Sequence, residues 1–553
     1  MPFDRFNLVN KAQRSATQSM KPLPQVTWPL VLLTGLSLSI GWGIRGNFGH
    51  EYGAMIPGAL AAMAVALLSG REDWWSRIAY FGMFGALGWS LGGSMSYMQV
   101  IAYTHSGHSG SILYGFICLF VIGFLWAAMG GAGTALPAFL DRQRLTEFFA
   151  PLIAIFAAWW LQDVLEDWFV GIKPEWRHQS PLYWYDADWL AALLALVAVL
   201  TLAIVRRRWD QASSLISHMA VGWWIGFLLL VVVLGWRMTP PRGDNWAGCV
   251  GMTIGLIVFF QRNGLSGVTF ATLVCGFVGG LGFATATLFK LIEVKSGWEV
   301  NWHSVLEQTY GFINGIGVAI ALGYLAAREP KRTDAPPARQ WSDIVAVAFI
   351  LLLVTYLNLR KNPEAWVKAK AVPETMYGIP LAGWLVPSKG WIGWFEFAYL
   401  AVAAAVIGLM VCHRRRPLPI VPTTWLGKAQ LLYLAFLWWM VIGNFERALV
   451  SFSPQRLATE GVIYLNAVIC TVMILAAAKT KPDSAARPSD SCRHLRIVTA
   501  AGIAGMILTV LLGWGIVRAM YGDQFAGYAG LHIRFGPNAT ATKEKPMAGK
   551  PHP

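Results

Sequence analysis

Apolar runs of roughly 17 to 25 residues, the length at which an α-helix crosses a bilayer core, recur along almost the whole chain. They lie near 28–44, 53–69, 78–101, 111–136, 148–165, 188–205, 217–236, 246–260, 266–289, 306–326, 342–359, 394–411, 429–443, 460–478 and 497–517. Fifteen membrane helices are therefore expected. In hydrocarbon every backbone polar group must be satisfied internally, so only helices and closed barrels span. Barrel strands alternate in segments of about 10 residues, whereas these runs stay apolar for longer. The expectation is an all-α polytopic membrane protein. Only 13% of the 553 residues are charged, against about 25% in soluble domains, which excludes an ordinary cytosolic enzyme. With 56% hydrophobic residues, intrinsic disorder is excluded too.

Charge sets the expected orientation. With the N-terminus inside, the inner segments hold 25 of the 44 Lys and Arg but only 11 of the 29 Asp and Glu. Nearly all of the net +15 then falls on one face, as the cytoplasmic enrichment of Lys and Arg requires. An odd helix count puts the C-terminus outside. The partner implied by this charge is a bilayer with anionic headgroups on its inner face; no basic stripe interleaved with aromatics points to nucleic acid. The basic N-terminus precedes an apolar run without a small-residue cleavage site, so that run is read as a retained first helix in the cytoplasmic (inner) membrane. None of the six cysteines forms a CxxC pair, which argues against a disulfide framework or a thiolate zinc site.

Several features recur in register. Arg206-Arg207-Arg208 follows the sixth run and Arg414-Arg415-Arg416 the twelfth. Gly41-Trp42-Gly43-Ile44-Arg45 ends the first, and Gly235-Trp236-Arg237 ends the seventh. Tyr-Gly-Phe stands at 114–116 and at 310–312. We therefore expect two parallel six-helix repeats, 28–208 and 209–416, a cytoplasmic segment 1–27, a three-helix remainder 417–517 and an extracytoplasmic tail 518–553. This layout is similar to that of the major facilitator transporters and the lipid-oligosaccharide flippases. GREDWWSR (70–77) does not reproduce the facilitators' glycine, aspartate and multiple-arginine signature.

The segment richest in chemistry is SIGWGIRGNFGHEYGAMIPG, 39–58. Its glycines permit a broken backbone, which a membrane tolerates only against protein or a cavity. Arg45 is a planar donor suited to a carboxylate or phosphate. Asn47 accompanies it, and His50 and Glu51 are titratable neighbours. Other junctions offer Arg242 and Asn245, then Asn444 and Arg447. These six Arg and Asn residues are the expected solute-binding set: Arg45, Asn47, Arg242, Asn245, Asn444 and Arg447. Glu51, with His50 tuning it, Glu396 and Glu307 are the expected proton carriers, because an ionisable group inside a span is costly and so usually functional. His105 and His108 form an H-x2-H pair that, with His50 and Glu51, offers an alternative zinc site. The Trp-rich loops, among them Trp168, Trp176, Trp366 and Trp384, read as an interfacial belt.

No GxxxxGK[ST] loop and no cofactor motif is present. The function expected is a secondary transporter, proton- or ion-coupled, for an anionic or polyhydroxylated small organic solute. The alternative is an integral-membrane enzyme acting on a lipid or lipid-linked glycan through His50, Glu51, His105 and His108.

Overall fold

The computed structural model describes residues 26–172, 188–238, 244–332, 341–360, 362, 365, 368, 401, 404–405, 407–412, 424–449, 454–477 and 491–522. Every regular element among these residues is helical. We number the principal helices α1 (Trp28–Arg45), α2 (Glu51–Leu68), α3 (Ile78–Ser90), α4 (Met98–Thr104), α5 (Ser109–Phe139), α6 (Phe149–Ile172), α7 (Trp189–Arg206), α8 (Gln211–Phe227), α9 (Asn245–Arg262), α10 (Ser266–Ser296), α11 (Trp302–Arg328), α12 (Trp341–Ala348), α13 (Thr424–Leu449), α14 (Pro454–Ala477) and α15 (Ser491–Tyr521). Single π-helical stretches extend α8 through Leu228–Val233 and α12 through Phe349–Val354.

Among the described residues, eleven helices are long and apolar enough to cross a membrane. The chain is thus a multi-pass helical membrane protein. The expected count of fifteen differs from this for physical reasons. The run at 78–101 is not one helix: α3 stops at Ser90 and α4 starts at Met98. There a β-carbon on Gly93 would stand 2.6 Å from Cα of Glu51, so the chain bends where another junction presses against it. α1 carries Thr34, Ser37, Ser39 and Arg45, and α9 carries Asn245, Gln261 and Arg262. Polar residues of this kind keep both outside the set of eleven. Most of 394–411 lies outside the described residues.

α1 and α2 occupy the centre. Nearly every α1 side chain is buried, whereas α6, α7 and α15 turn Ile153, Leu161, Ile204, Leu508 and Leu512 outward. Apolar side chains gain nothing by leaving lipid, so close packing must come from small residues. α1 crosses α11 where Gly315 abuts Gly35: a β-carbon on the former would lie 2.5 Å from Cα of the latter. α5 crosses α10 where Gly123 meets the Gly279 carbonyl oxygen at 2.5 Å by the same measure.

The helices alternate between two ends. At one, the α1–α2 junction meets the end of α13, where Asn47 Nδ2 donates to Asn444 Oδ1 at 2.6 Å; we call this the junction end. At the other, the GREDWWSR segment is a clamp. Arg77 donates to the carbonyls of Pro137 and Leu140 at 2.7 and 2.9 Å. Arg71 donates to those of Glu329 and Pro330 at 2.6 and 3.0 Å. These carbonyls belong to the C-terminal ends of α5 and α11, which have no partners of their own within the helix. Asp73 bridges Arg71 at 2.7 Å and Arg77 at 3.2 Å. Burial alone would raise the Asp73 carboxyl. Hydrogen bonds and charge from Arg71, the N–H of Arg332 and the charge of Arg77 outweigh it and hold the group below the usual carboxylate range.

Candidate functional site

α1 ends in Trp42-Gly43-Ile44-Arg45 inside protein, and Arg45 is only 2% exposed. A buried guanidinium must be paired and hydrogen-bonded to be tolerated. Its partner is Glu307, in the second turn of α11, with Nη1 to Oε1 at 2.8 Å. The Tyr97 hydroxyl donates to the same carboxylate oxygen at 3.1 Å. Nη2 of Arg45 lies 2.6 Å from Nδ1 of His50, which makes that ring nitrogen the acceptor. The guanidinium also lies over the rings of Trp42 at 5.0 Å and Trp126 at 4.7 Å, cation–π contacts that offset lost hydration.

A second imidazole reaches the carboxylate from outside. His303 stands one helical turn before Glu307 on the same face. Its Nε2 is 3.6 Å from Oε1 and 3.3 Å from the Tyr97 hydroxyl, and its ring stacks on that of Tyr97. His303 is 37% exposed and Glu307 3%. A proton thus has a short path from the exposed imidazole to the buried carboxylate, directly or through the Tyr97 hydroxyl. Moving it onto Glu307 would leave Arg45 without its counter-charge.

Beside this pair runs an amide-rich chain. Arg456 donates to Asn47 Oδ1 at 2.5 Å, and Asn444 Nδ2 donates to Glu460 Oε2 at 2.5 Å. Gln308 donates to Ser304 and to the Thr459 carbonyl. These bonds tie α1, α11, α13 and α14 together around the junction.

A cavity of about 450 Å³ adjoins the site on the other side. Its walls are mainly apolar, from Phe84, Leu136, Leu152, Phe156, Trp223 and Leu256, while Glu51, Gln162, Asp163 and Asp188 line its junction end. The volume is that of a small-molecule site. Phe148 and Asp163 both line it. Fifteen residues separate them, so it runs about 22 Å along the bundle at 1.5 Å per helical residue. His50, which holds Arg45, and Glu51, which lines this cavity, are consecutive, so the first turn of α2 is shared by both.

Of the expected residues, Arg45, Asn47, His50, Glu307 and Asn444 come together, and Glu51 faces the adjoining cavity. Arg447 is half-buried, three residues beyond Asn444. Asn245 stands elsewhere: its Oδ1 accepts the backbone N–H of Asp188, at the start of α7. Arg242 and Glu396 lie outside the described residues, as do Trp176 and Trp384. The zinc alternative is not assembled. His108 Nδ1 accepts the Ser111 N–H and caps α5, His50 is held by Arg45, and burial lowers His105 from its ordinary value. Among the described residues no three His, Cys, Asp or Glu are grouped as a metal would need.

The sequence does not single out Tyr97, His303 or Trp126. His303 had a signal, four residues ahead of Glu307 on one helical face. Tyr97 had none, because the bend that delivers it interrupts what reads as a single apolar run. Comparison with protein-family models, curated proteins and solved structures finds nothing that matches the chain.

Proposed function

We propose that the chain is a proton-coupled secondary transporter of a small organic solute, and that Glu307 carries the coupling proton. The observation behind this reading is the buried Arg45–Glu307 pair, with an imidazole at its exposed side and another on the guanidinium. A buried ion pair is weak as a source of stability; inside a membrane it is more often retained for function. Protonating Glu307 removes the negative charge, frees the Arg45 guanidinium and loosens the link between α1 and α11. His50 then passes the change to Glu51 and the cavity. The solute compartment in this reading is that cavity, whose apolar walls and acidic end suit an apolar body with a neutral or cationic end.

The solute expected from the sequence was anionic or polyhydroxylated. Arg45 is engaged by Glu307, so we assign it to coupling. The Asn47–Asn444–Arg456 chain is the feature that favours a polyhydroxylated solute, and it supports that second reading. We further propose the cytoplasmic membrane with the N-terminus inside, from the charge balance, and two facing six-helix halves. The crossings of α1 with α11 and of α5 with α10, each joining one unit to the other, are consistent with those halves.

The test is proton movement in reconstituted vesicles that contain a trapped pH dye. Quaternary alkylammonium salts, sugars and carboxylates are added in turn. One class should drive proton flux in the wild type and none in Glu307→Gln. If no class does so, or if Glu307→Gln responds as the wild type does, the reading fails.

A further inference from the structure

The centre of the bundle holds more polar atoms than its hydrogen bonds use. Arg45 Nε, Trp42 Nε1, Trp89 Nε1 and Thr34 Oγ1 are buried without a hydrogen-bond partner, and the Tyr310 hydroxyl and the Asn314 amide have only each other. Their residues are at most 2% exposed. Thr34 apart, their side chains adjoin one another. The Trp42 ring lies 4.8 Å from that of Tyr310 and 6.1 Å from that of Trp89, and Arg45 lies over it. Glu307, Tyr310 and Asn314 follow at helical spacing on one side of α11. Thr34 comes level with Asn314, because a β-carbon on the neighbouring Gly315 would sit 2.5 Å from the Thr34 carbonyl oxygen.

Buried polar groups in folded proteins are almost always satisfied, by protein or by ordered water. One orphan is an accident of packing; a contiguous file of them is a pattern. Indole N–H groups donate, and hydroxyls and an amide both donate and accept, so each successive site offers the mixed partners an internal water needs. The file starts at Arg45 and reaches the level of Thr34. Eleven residues of α1 separate these, or about 16 Å, roughly half of a bilayer core of about 30 Å.

We propose that a file of water molecules runs from Glu307 past Tyr310 to Asn314 and Thr34, and carries the coupling proton toward the clamp end. This rests on the reading of Glu307 as proton carrier and extends it: His303 and Tyr97 serve the exposed side, and the water file serves the interior. Glu307 faces Arg45, Tyr97 and His303, with His50 on the guanidinium. Tyr310 is the titratable group on the file itself, and its hydroxyl relays hydrogen bonds without ionising.

The experiment is pulsed hydroxyl-radical labelling of the full-length protein in lipid nanodiscs, read by mass spectrometry. Radicals formed from internal water mark nearby side chains that bulk solvent never meets. Trp42, with its unpartnered indole N–H, and Tyr310 should label several-fold faster than Tyr433, which is equally buried but lies off the file, its hydroxyl on Ser37 at 2.6 Å. Asn314→Leu should lower labelling of Tyr310 several-fold, and Thr34→Val serves if Asn314→Leu fails to fold. Labelling of Trp42 and Tyr310 no faster than that of Tyr433 overturns the water file. Fast labelling with undiminished proton flux in Asn314→Leu overturns its role as a route. Labelling needs no turnover, so it can fail while Glu307-dependent flux in vesicles still holds, and the two failures are distinguishable.

Discussion

Gly46 backs directly onto the carboxylate of Glu307: a β-carbon at position 46 would stand 2.7 Å from Oε2. The other oxygen, Oε1, is held by Arg45 and Tyr97, so the carboxylate cannot swing aside without losing them. Gly46→Ala should therefore strain the pair, at an overpacking cost of about 1–3 kcal/mol. The expected result is a lower melting temperature in detergent together with impaired proton flux. Unchanged melting and flux would mean that the carboxylate is free to move.

The ion pair itself predicts non-additivity. Arg45→Met leaves Glu307 buried without its counter-charge, and Glu307→Leu does the reverse; each should cost about 3–5 kcal/mol. The double variant removes both charges and should be more stable than either single variant. Unfolding followed in denaturant for all four proteins checks this, and additive losses would contradict the pairing.

At the clamp end, Asp73 sets a pH signature. Its carboxyl is held below the usual range, so the clamp contributes fully above the unfolded value of about 3.9. That contribution is lost as the pH falls through the lower folded value. Asp73→Asn should melt below the wild type by a constant margin from neutrality down to about pH 4, and the margin should close on further acidification. Melting curves at graded pH measure it. A margin that closed near neutrality would place the stabilisation in another group.

The amide chain at the junction end predicts a local effect. Asn444→Leu removes the bonds that Asn444 makes to Asn47 and to Glu460 and leaves those two with each other, which should cost about 1–3 kcal/mol in all. Hydrogen exchange should rise at the start of α14 and around Asn47, with α5 and α10 unaffected. A uniform rise across all helices would instead indicate global loosening.

Much of the architecture was readable because membrane insertion imposes a coarse rule on composition: long apolar runs become helices. The α1–α2 junction was readable for a related reason, since Arg45 and Glu307 are conspicuous where charge is scarce. Their pairing was not, because 262 residues separate them and charge alone does not say which cation meets which carboxylate. Tyr97 was hidden by the bend at Gly92–Gly93, where glycine within apolar sequence looks the same in a helix and in a break. Arg71 and Arg77 read as ordinary inner-loop charges. Their carbonyl partners on α5 and α11 are backbone groups, which leave no mark on sequence. Asn245 resembled Asn47 in its setting, yet serves the start of α7.

In the proposed cycle Glu307 carries the coupling proton while Arg45 stays charged. Infrared difference spectra of the reconstituted protein, recorded at fixed pH as quaternary alkylammonium salts, sugars and carboxylates are added in turn, report carboxyl protonation directly. A protonated-carboxyl band that appears with one solute class in the wild type and is missing in Glu307→Gln is the predicted result. Identical carboxyl bands in the two proteins would contradict it.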